Sequence, residues 1–306
     1  MKIAFVFPGQ GSQYVGMGKD IYEHYPVAKE VFQQASDALG YDVANLCFNG
    51  PVEELNRTFR TQPCILTVSS ALNSVLKEKG IQPSVVAGHS LGEYSALVAA
   101  EVISLRDSVS LTEKRGRFMQ EAVPEGKGLM AAILGLEREK VDEICNSLIS
   151  GYAAAANYNC PGQIVIAGEK TAVEEAIELC KSAGAKRAIA LAVSVPSHCK
   201  LMNGASKRLG ELLGTIELKD PFIPLVNNAD AKFLKTAEEI KPSLIRQLNS
   251  PLLWEDSIKA IYASGIDLFI EVGPGKVLTG LIKRIVPEAK ILNFEDTKTL
   301  PVSCIK

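Results

Sequence analysis

Ser84-Val85-Val86-Ala87-Gly88-His89-Ser90-Leu91-Gly92-Glu93-Tyr94-Ser95-Ala96-Leu97-Val98-Ala99-Ala100 is the stretch that decides the fold. An apolar run meets a Gly-x-Ser-x-Gly turn, and a helix-forming run follows. That order reads as strand, sharp turn, helix, the setting in which a serine hydroxyl is held out at the tip of a strand. The two glycines allow a turn too tight for side chains. The backbone N–H of Leu91 falls where the helix begins, and helix N-termini carry unpaired N–H groups suited to a developing oxyanion. A chance Gly-x-Ser-x-Gly in a glycine-rich turn is the competing reading.

Outward from this turn, strands and helices alternate, which predicts an α/β architecture with a parallel sheet. Strands are expected at Lys2–Phe7, 85–87, 223–227 and 268–272. Helices are expected at 21–39, at 65–79 with a start near Pro63, at 105–121 behind a Ser104 N-cap, at 254–263 and at 276–286. The middle differs. After the linker-like stretch 121–128 come strand 129–136, helix 137–149, strand 153–157, a Pro161-Gly162 turn, strand 163–167, helix 171–183 and strand 187–191. This β-α-β-β-α-β order is the ferredoxin-like pattern. The expected organisation is therefore a large α/β-hydrolase-like domain, residues 1–125 and 195–306, with a smaller ferredoxin-like subdomain inserted at 126–194.

Composition narrows the class. The 306 residues are 47% hydrophobic and 22% charged, with a formal net charge of -2. That is an ordinary soluble composition with no signature of nucleic-acid binding. Seven cysteines, at 47, 64, 145, 160, 180, 199 and 304, are scattered and never spaced as CxxC. They argue against a disulfide framework or a metal site and fit a reducing cytoplasm. No apolar run approaches membrane-spanning length, and the apolar part of Met1–Gly9 is too short for a signal peptide.

A serine nucleophile needs a base, and the chain holds three histidines. His89 adjoins Ser90, so its ring should point away from the hydroxyl. His24 lies on a polar helix face. His198, in Val195-Pro196-Ser197-His198-Cys199, remains as the base, a capping or packing residue being the alternative. No carboxylate stands in the usual place for a third member: between Ser90 and His198 the aspartates are Asp107 and Asp142, both inside predicted helices. A neutral acceptor such as a backbone carbonyl could orient the ring instead. The loop Pro8-Gly9-Gln10-Gly11-Ser12-Gln13 follows the first strand at a carboxyl end, where α/β sites form. The Gln10 N–H is a candidate second oxyanion donor, against glycines that merely turn the chain.

Phe7-Pro-Gly-Gln-Gly-Ser-Gln13, Gly88-His-Ser-Leu-Gly-Glu93, Lys114-Arg115-Gly116, Asn157-Tyr-Asn159, Val195-Pro-Ser-His198 and Glu271-Val-Gly-Pro-Gly-Lys276 occur in this order. Together they resemble the malonyl-CoA:acyl carrier protein transacylases of bacterial fatty-acid synthesis, over nearly the whole chain. The resemblance implies an acyltransferase that moves malonyl from malonyl-CoA to the phosphopantetheine thiol of acyl carrier protein. Ser90 would be acylated, with His198 as base and the Gln10 and Leu91 amides as oxyanion hole. Arg115 would bind the malonyl carboxylate, the Gln247 main-chain carbonyl would orient the histidine, and Asn157 and Asn159 would lie near the cleft. Apart from the family, a planar guanidinium can hold a carboxylate through two parallel hydrogen bonds, which lysine cannot. A surface arginine in the Lys114–Arg117 cluster is the alternative.

The resemblance further implies a protein with no cofactor or metal of its own, and a monomer is expected. The rival readings are a serine thioesterase or hydrolase, and a non-catalytic module that docks the carrier. Lys186, Arg187, Lys283 and Arg284 are candidates for a basic rim facing an acidic carrier helix.

Overall fold

The computed structural model describes residues 1–191 and 195–301. Within them the strands are β1 (Ile3–Phe7), β2 (Val85–Gly88), β3 (Gly128–Leu134), β4 (Ala153–Cys160), β5 (Gln163–Glu169), β6 (Arg187–Ala190), β7 (Leu225–Val226), β8 (Phe233–Leu234), β9 (Leu268–Val272) and β10 (Lys290–Phe294). They form two sheets. The larger has the order β10-β9-β1-β2-β7-β8, parallel throughout except for the antiparallel β7–β8 edge. The smaller is antiparallel with the order β4-β5-β3-β6, and helices Arg138–Asn146 and Lys170–Ser182 connect β3 to β4 and β5 to β6. The chain thus has a mixed α/β fold with a parallel sheet.

β1 is central and buried along its whole length. Its side chains alternate between two apolar layers. Ile3, Phe5 and Phe7 join the larger core with helices Thr58–Glu78 and Leu105–Ala122. Ala4 and Val6 face Trp254, Ile258 and Leu281 on the other side. The β1–β2 register ends with Phe7 opposite Gly88, and His89 N donates to Phe7 O at 2.9 Å. The Gln10 loop and the serine turn therefore leave the sheet side by side at its carboxyl edge, where open α/β sheets place ligands.

Several expected elements take different bounds. The helix expected at 21–39 is two, Lys19–His24 and Pro26–Leu39, because Tyr25 precedes a proline and is extended, with φ -125°. The helix expected to start near Pro63 starts at Thr58, so Pro63 lies inside it and Gln62 is buried on it. The strand expected at 223–227 shrinks to Leu225–Val226, which frees Asn227 and Asn228 to turn into the interior. Helix Ala237–Asn249 was not anticipated, although Thr236 and Glu239 close a capping box at its start. Ser104 caps Leu105–Ala122 as expected, accepting from Asp107 N. The subdomain boundary expected at 194, and Cys304, fall outside the described residues; the other six cysteines are free thiols.

The smaller sheet is tied to the segment ahead of helix Trp254–Ala263 by main-chain bonds. Tyr158 N donates to Leu252 O at 2.9 Å and Leu252 N to Ala156 O at 2.8 Å. Arg138 adds ion pairs to Asp256 at 2.7 Å and Glu255 at 3.0 Å.

Helices Thr58–Glu78 and Leu105–Ala122 cross at Gly116, where a Cβ would come within 2.5 Å of the Phe59 Cα. Gly116→Ala is expected to push the helices apart and lower stability by about 1–3 kcal/mol, read by urea unfolding.

Candidate active site

Ser90 sits at φ 51° and His198 at φ 60°, both in the left-handed region that side chains avoid. Such conformations cost about 1–3 kcal/mol each and persist only where the surroundings enforce them. At Ser90 the enforcement comes from crowding. A Cβ on Gly88 would overlap the Gly92 carbonyl, and one on Gly92 would overlap the Phe7 carbonyl oxygen. Asn228 completes the clamp. Its Oδ1 accepts from Ser90 N at 2.7 Å and its Nδ2 donates to Gly88 O at 2.7 Å.

The structure brings the expected pair together. Ser90 Oγ and His198 Nε2 are 2.8 Å apart. His198 Nδ1 is 2.8 Å from the Gln247 main-chain oxygen, and His198 N donates to Leu248 O at 3.1 Å. Gln247 and Leu248 lie in the last turn of Ala237–Asn249, whose final carbonyls have no partners within the helix. The ring nitrogen and the backbone amide of His198 satisfy two of them. The negative end of the helix dipole thus faces the imidazole where a carboxylate would otherwise stand. Asp107 and Asp142 are elsewhere, Asp107 at the Ser104 cap and Asp142 on the Tyr158 hydroxyl. His89 turns away from Ser90: its Nε2 meets Asn159 Oδ1 at 2.8 Å and its ring lies edge-on to Trp254. His24 is exposed.

Arg115 is 1% exposed, so it is no surface residue. Its Nη1 donates to Gln62 Oε1 at 2.8 Å and its Nη2 to Gln247 Oε1 at 2.9 Å and Ser90 Oγ at 3.3 Å. Nε has no acceptor among the described residues. Gln62 and Gln247 are neutral acceptors, so the guanidinium is held in place with its charge uncompensated by direct contact. Gln247 therefore does more than its carbonyl implies. Its Nε2 donates to Ser90 O at 3.0 Å and to Glu93 Oε2 at 2.8 Å.

The Gln10 and Leu91 amides donate to no acceptor among the described residues. Both residues line a cavity of about 250 Å³ whose walls include Ser90, Arg115, His198, Asn157 and Asn159 from the expected set. Met119, Met130, Val165, Leu191, Val195 and Leu281 supply its apolar lining. Of the expected basic rim, Arg284 donates to Gln163 Oε1 and Pro161 O, at the cavity edge marked by Gln163. Arg187 shares the register row of Leu134 and Gln163, and Lys186, Arg187 and Lys283 are exposed.

Gln62, Asn228, Glu93 and the Gln247 side chain are site components that sequence reasoning missed. Glu93 carried a readable signal, a lone carboxylate in the apolar run 92–100, and the Thr236 capping box marked the helix that bears Gln247. Gln62 and Asn228 carried none, because their partners lie 53 and 138 residues away.

Burial sets the protonation states. It pulls the His198 pKa down to about 3, with the Arg115 charge lowering it further and the Gln247 carbonyl opposing. The ring is therefore neutral near pH 7 and free to take a proton. Burial pushes Glu93 up to about 7, against hydrogen bonds from Gln247 and Asn228 and the attraction of Arg115.

The architecture and the serine–imidazole pair define an α/β acyl-transfer protein. The chain belongs to the acyl transferase domain family, whose model matches residues 4–301. It is 51% identical over 298 residues to the malonyl CoA-acyl carrier protein transacylase of Haemophilus influenzae, covering 96% of each chain. It superposes on an acyl carrier protein S-malonyltransferase from Vibrio cholerae with a TM-score of 0.97, at 50% identity over 100% of both chains. A malonyl-transacylase solved in complex with a type II polyketide acyl-carrier protein is equally similar, with a TM-score of 0.96, 50% identity and 98% of both chains covered.

The depressed His198 pKa has a measurable linkage. Between about pH 6.5 and pH 3 the unfolded chain binds a proton at this site that the folded chain excludes, so His198 favours folding above pH 6.5 and loses that contribution as pH falls. His198→Asn is expected to shrink the stability difference between pH 6.5 and pH 5 by about 2 kcal/mol, read by urea unfolding at each pH.

Proposed function

We propose that the protein transfers malonyl from malonyl-CoA to the phosphopantetheine thiol of acyl carrier protein through a malonyl-Ser90 ester, as an acyl carrier protein S-malonyltransferase of fatty-acid synthesis. One observation carries the assignment of an anionic acyl group: the buried Arg115 guanidinium lies 3.3 Å from the Ser90 hydroxyl and meets only neutral acceptors. A carboxylate two carbons from the reacting carbonyl can engage it while that carbonyl is attacked.

Ser90 Oγ attacks the thioester carbonyl carbon as its proton passes to His198 Nε2. The oxyanion is received by the Gln10 and Leu91 amides, a donor of this kind being worth about 3 kcal/mol. The C–S bond breaks, and the departing CoA sulfur takes the proton from Nε2. The carrier thiol then gives its proton to Nε2 and attacks the ester, and Ser90 Oγ leaves with that proton. The malonyl carboxylate also prepares the base. By neutralising Arg115 it removes the second cause of the low His198 pKa, so basicity rises as the acyl group arrives.

Asn159 shapes the cleft by holding the His89 ring aside, and Asn157 lines the wall beside it. The acidic carrier docks on the basic rim of Lys186, Arg187, Lys283 and Arg284, with Arg284 also bracing the cavity edge through Gln163. Residues 1–125 and 195–306 act as an α/β-hydrolase-like domain and 126–194 as a ferredoxin-like subdomain. The β-α-β-β-α-β order and the β4-β5-β3-β6 sheet support that division. The reaction as written needs no cofactor or metal, and the protein works as a cytoplasmic monomer. Among the described residues no helix is long and apolar enough to cross a membrane.

Intact-mass spectrometry after mixing with malonyl-CoA tests the ester: the native chain gains one malonyl group and Ser90→Ala gains none. Labelling of the alanine variant would remove Ser90 from the role. Malonate released without carrier, with no transfer in its presence, would make the protein a hydrolase. Arg115→Ala is expected to slow malonyl transfer on the order of 100-fold while acetyl transfer changes far less, measured with the two thioesters side by side. Equal losses would exclude the carboxylate clamp.

A further inference from the structure

We propose that Glu93 is the positioning residue that joins the serine turn, the imidazole and the guanidinium into one rigid unit, and so sustains preference for a carboxylated acyl group. The inference rests on the malonyl reading above and deepens it. Glu93 is fully buried, three residues after Ser90 on helix Gly92–Ala99. Among the described residues its carboxyl hydrogen-bonds to neither the Ser90 hydroxyl nor the His198 ring. One of its oxygens does the joining: Oε2 accepts from Gln247 Nε2 at 2.8 Å and from Asn228 N at 3.0 Å.

Each of those partners then holds part of the site. Gln247 gives its main-chain oxygen to His198 Nδ1, its side-chain oxygen to Arg115 Nη2 and its amide hydrogens to Glu93 and Ser90 O. Asn228 holds Ser90 N and Gly88 O. Between Glu93 and Arg115 the Gln247 amide acts as a spacer. It accepts from the guanidinium on one side and donates to the carboxylate on the other. A carboxylate bonded directly to Arg115 would occupy the donors that a substrate carboxylate needs. Held one amide away, Glu93 steadies Arg115 and leaves it open.

What Glu93 contributes is an acceptor at the Oε2 position. Its Oε1 has no hydrogen-bond partner among the described residues. A glutamine at 93 can place its carbonyl oxygen where Oε2 stands and so keep both bonds from Gln247 and Asn228, its NH₂ taking the position where Oε1 already lacks a partner, a cost that falls on malonyl and acetyl transfer alike. A leucine of similar bulk keeps the packing and removes the acceptor, leaving a Gln247 N–H and the Asn228 N–H buried without partners.

The test compares initial rates of Ser90 acylation from malonyl-CoA and acetyl-CoA in the full-length native protein, Glu93→Gln and Glu93→Leu. Glu93→Gln is expected to keep the malonyl-to-acetyl ratio within about threefold. Glu93→Leu is expected to lower it about tenfold or more, because malonyl needs Arg115 in register and acetyl does not. Should Glu93→Leu fail to fold, Glu93→Ala removes the acceptor without apolar bulk and carries the same comparison. In an Arg115→Ala background, removing the acceptor is expected to leave the ratio unchanged. A native ratio in Glu93→Leu or Glu93→Ala would overturn the inference, as would an equal fall in Glu93→Gln. These outcomes differ from failure of the malonyl reading, in which the native protein itself would not be acylated.

Discussion

Two carbonyls at the end of helix Ala237–Asn249 hold His198, and the rest of the site depends on that grip. The bond that His198 Nδ1 donates to Gln247 O fixes which ring nitrogen carries the proton, so Nε2 is left as the acceptor facing Ser90. The bond from His198 N to Leu248 O holds a backbone that would otherwise relax out of the left-handed region. In the proposed transfer, the positive charge on the ring as it takes the serine proton would meet the negative helix end. A dipole of this kind favours a cation by about 0.3–1 kcal/mol when exposed, and more when partly buried. That is a weaker partner than an aspartate. It suits a site with a permanent cation, because an added carboxylate beside the histidine would also pair with Arg115.

The same economy of charge recurs throughout the pocket. Arg115 is buried against amide oxygens, a hydroxyl and the Tyr94 ring, with the Glu93 carboxyl group one amide removed. A buried guanidinium without direct compensation is costly, and a ligand carboxylate relieves that cost in a way a methyl group cannot. On the proposed reading, selectivity for an anionic acyl group follows from this uncompensated guanidinium. Ser90 and His198 are strained for a related reason: the fold spends stability to hold a hydroxyl and a ring where neither would settle unaided.

The legible and illegible parts of the molecule divide by range. The serine turn, its glycines and its helix are contiguous, so local sterics announced them. β9 and helix Trp254–Ala263 fell where their apolar patterns put them. Arg115 required more than pattern, since its neighbours Lys114 and Arg117 give it the look of solvated surface; the ordered set of motifs placed it inside. Gln62 was hidden by a proline one residue on that reads as a helix start, while tertiary packing carries the helix through it. Asn228 follows a strand that ends one residue earlier than its pattern predicts, and its role is fixed by the backbone of a distant turn. Polar side chains that serve a site through long-range hydrogen bonds carry no period and no local partner, so a single chain does not display them.

The main-chain ladder between Tyr158, Leu252 and Ala156 sets how the pocket can adapt. Because peptide groups rather than flexible side chains make that join, the stretch bearing the lining residues Asn157 and Asn159 is held by backbone bonds. The adaptable elements of the lining are then Met119 and Met130, unbranched thioethers whose rotamers can yield to a branched or longer acyl group. Swapping them for stiffer or smaller neighbours is the natural dial for retuning the enzyme toward other carboxyacyl building blocks.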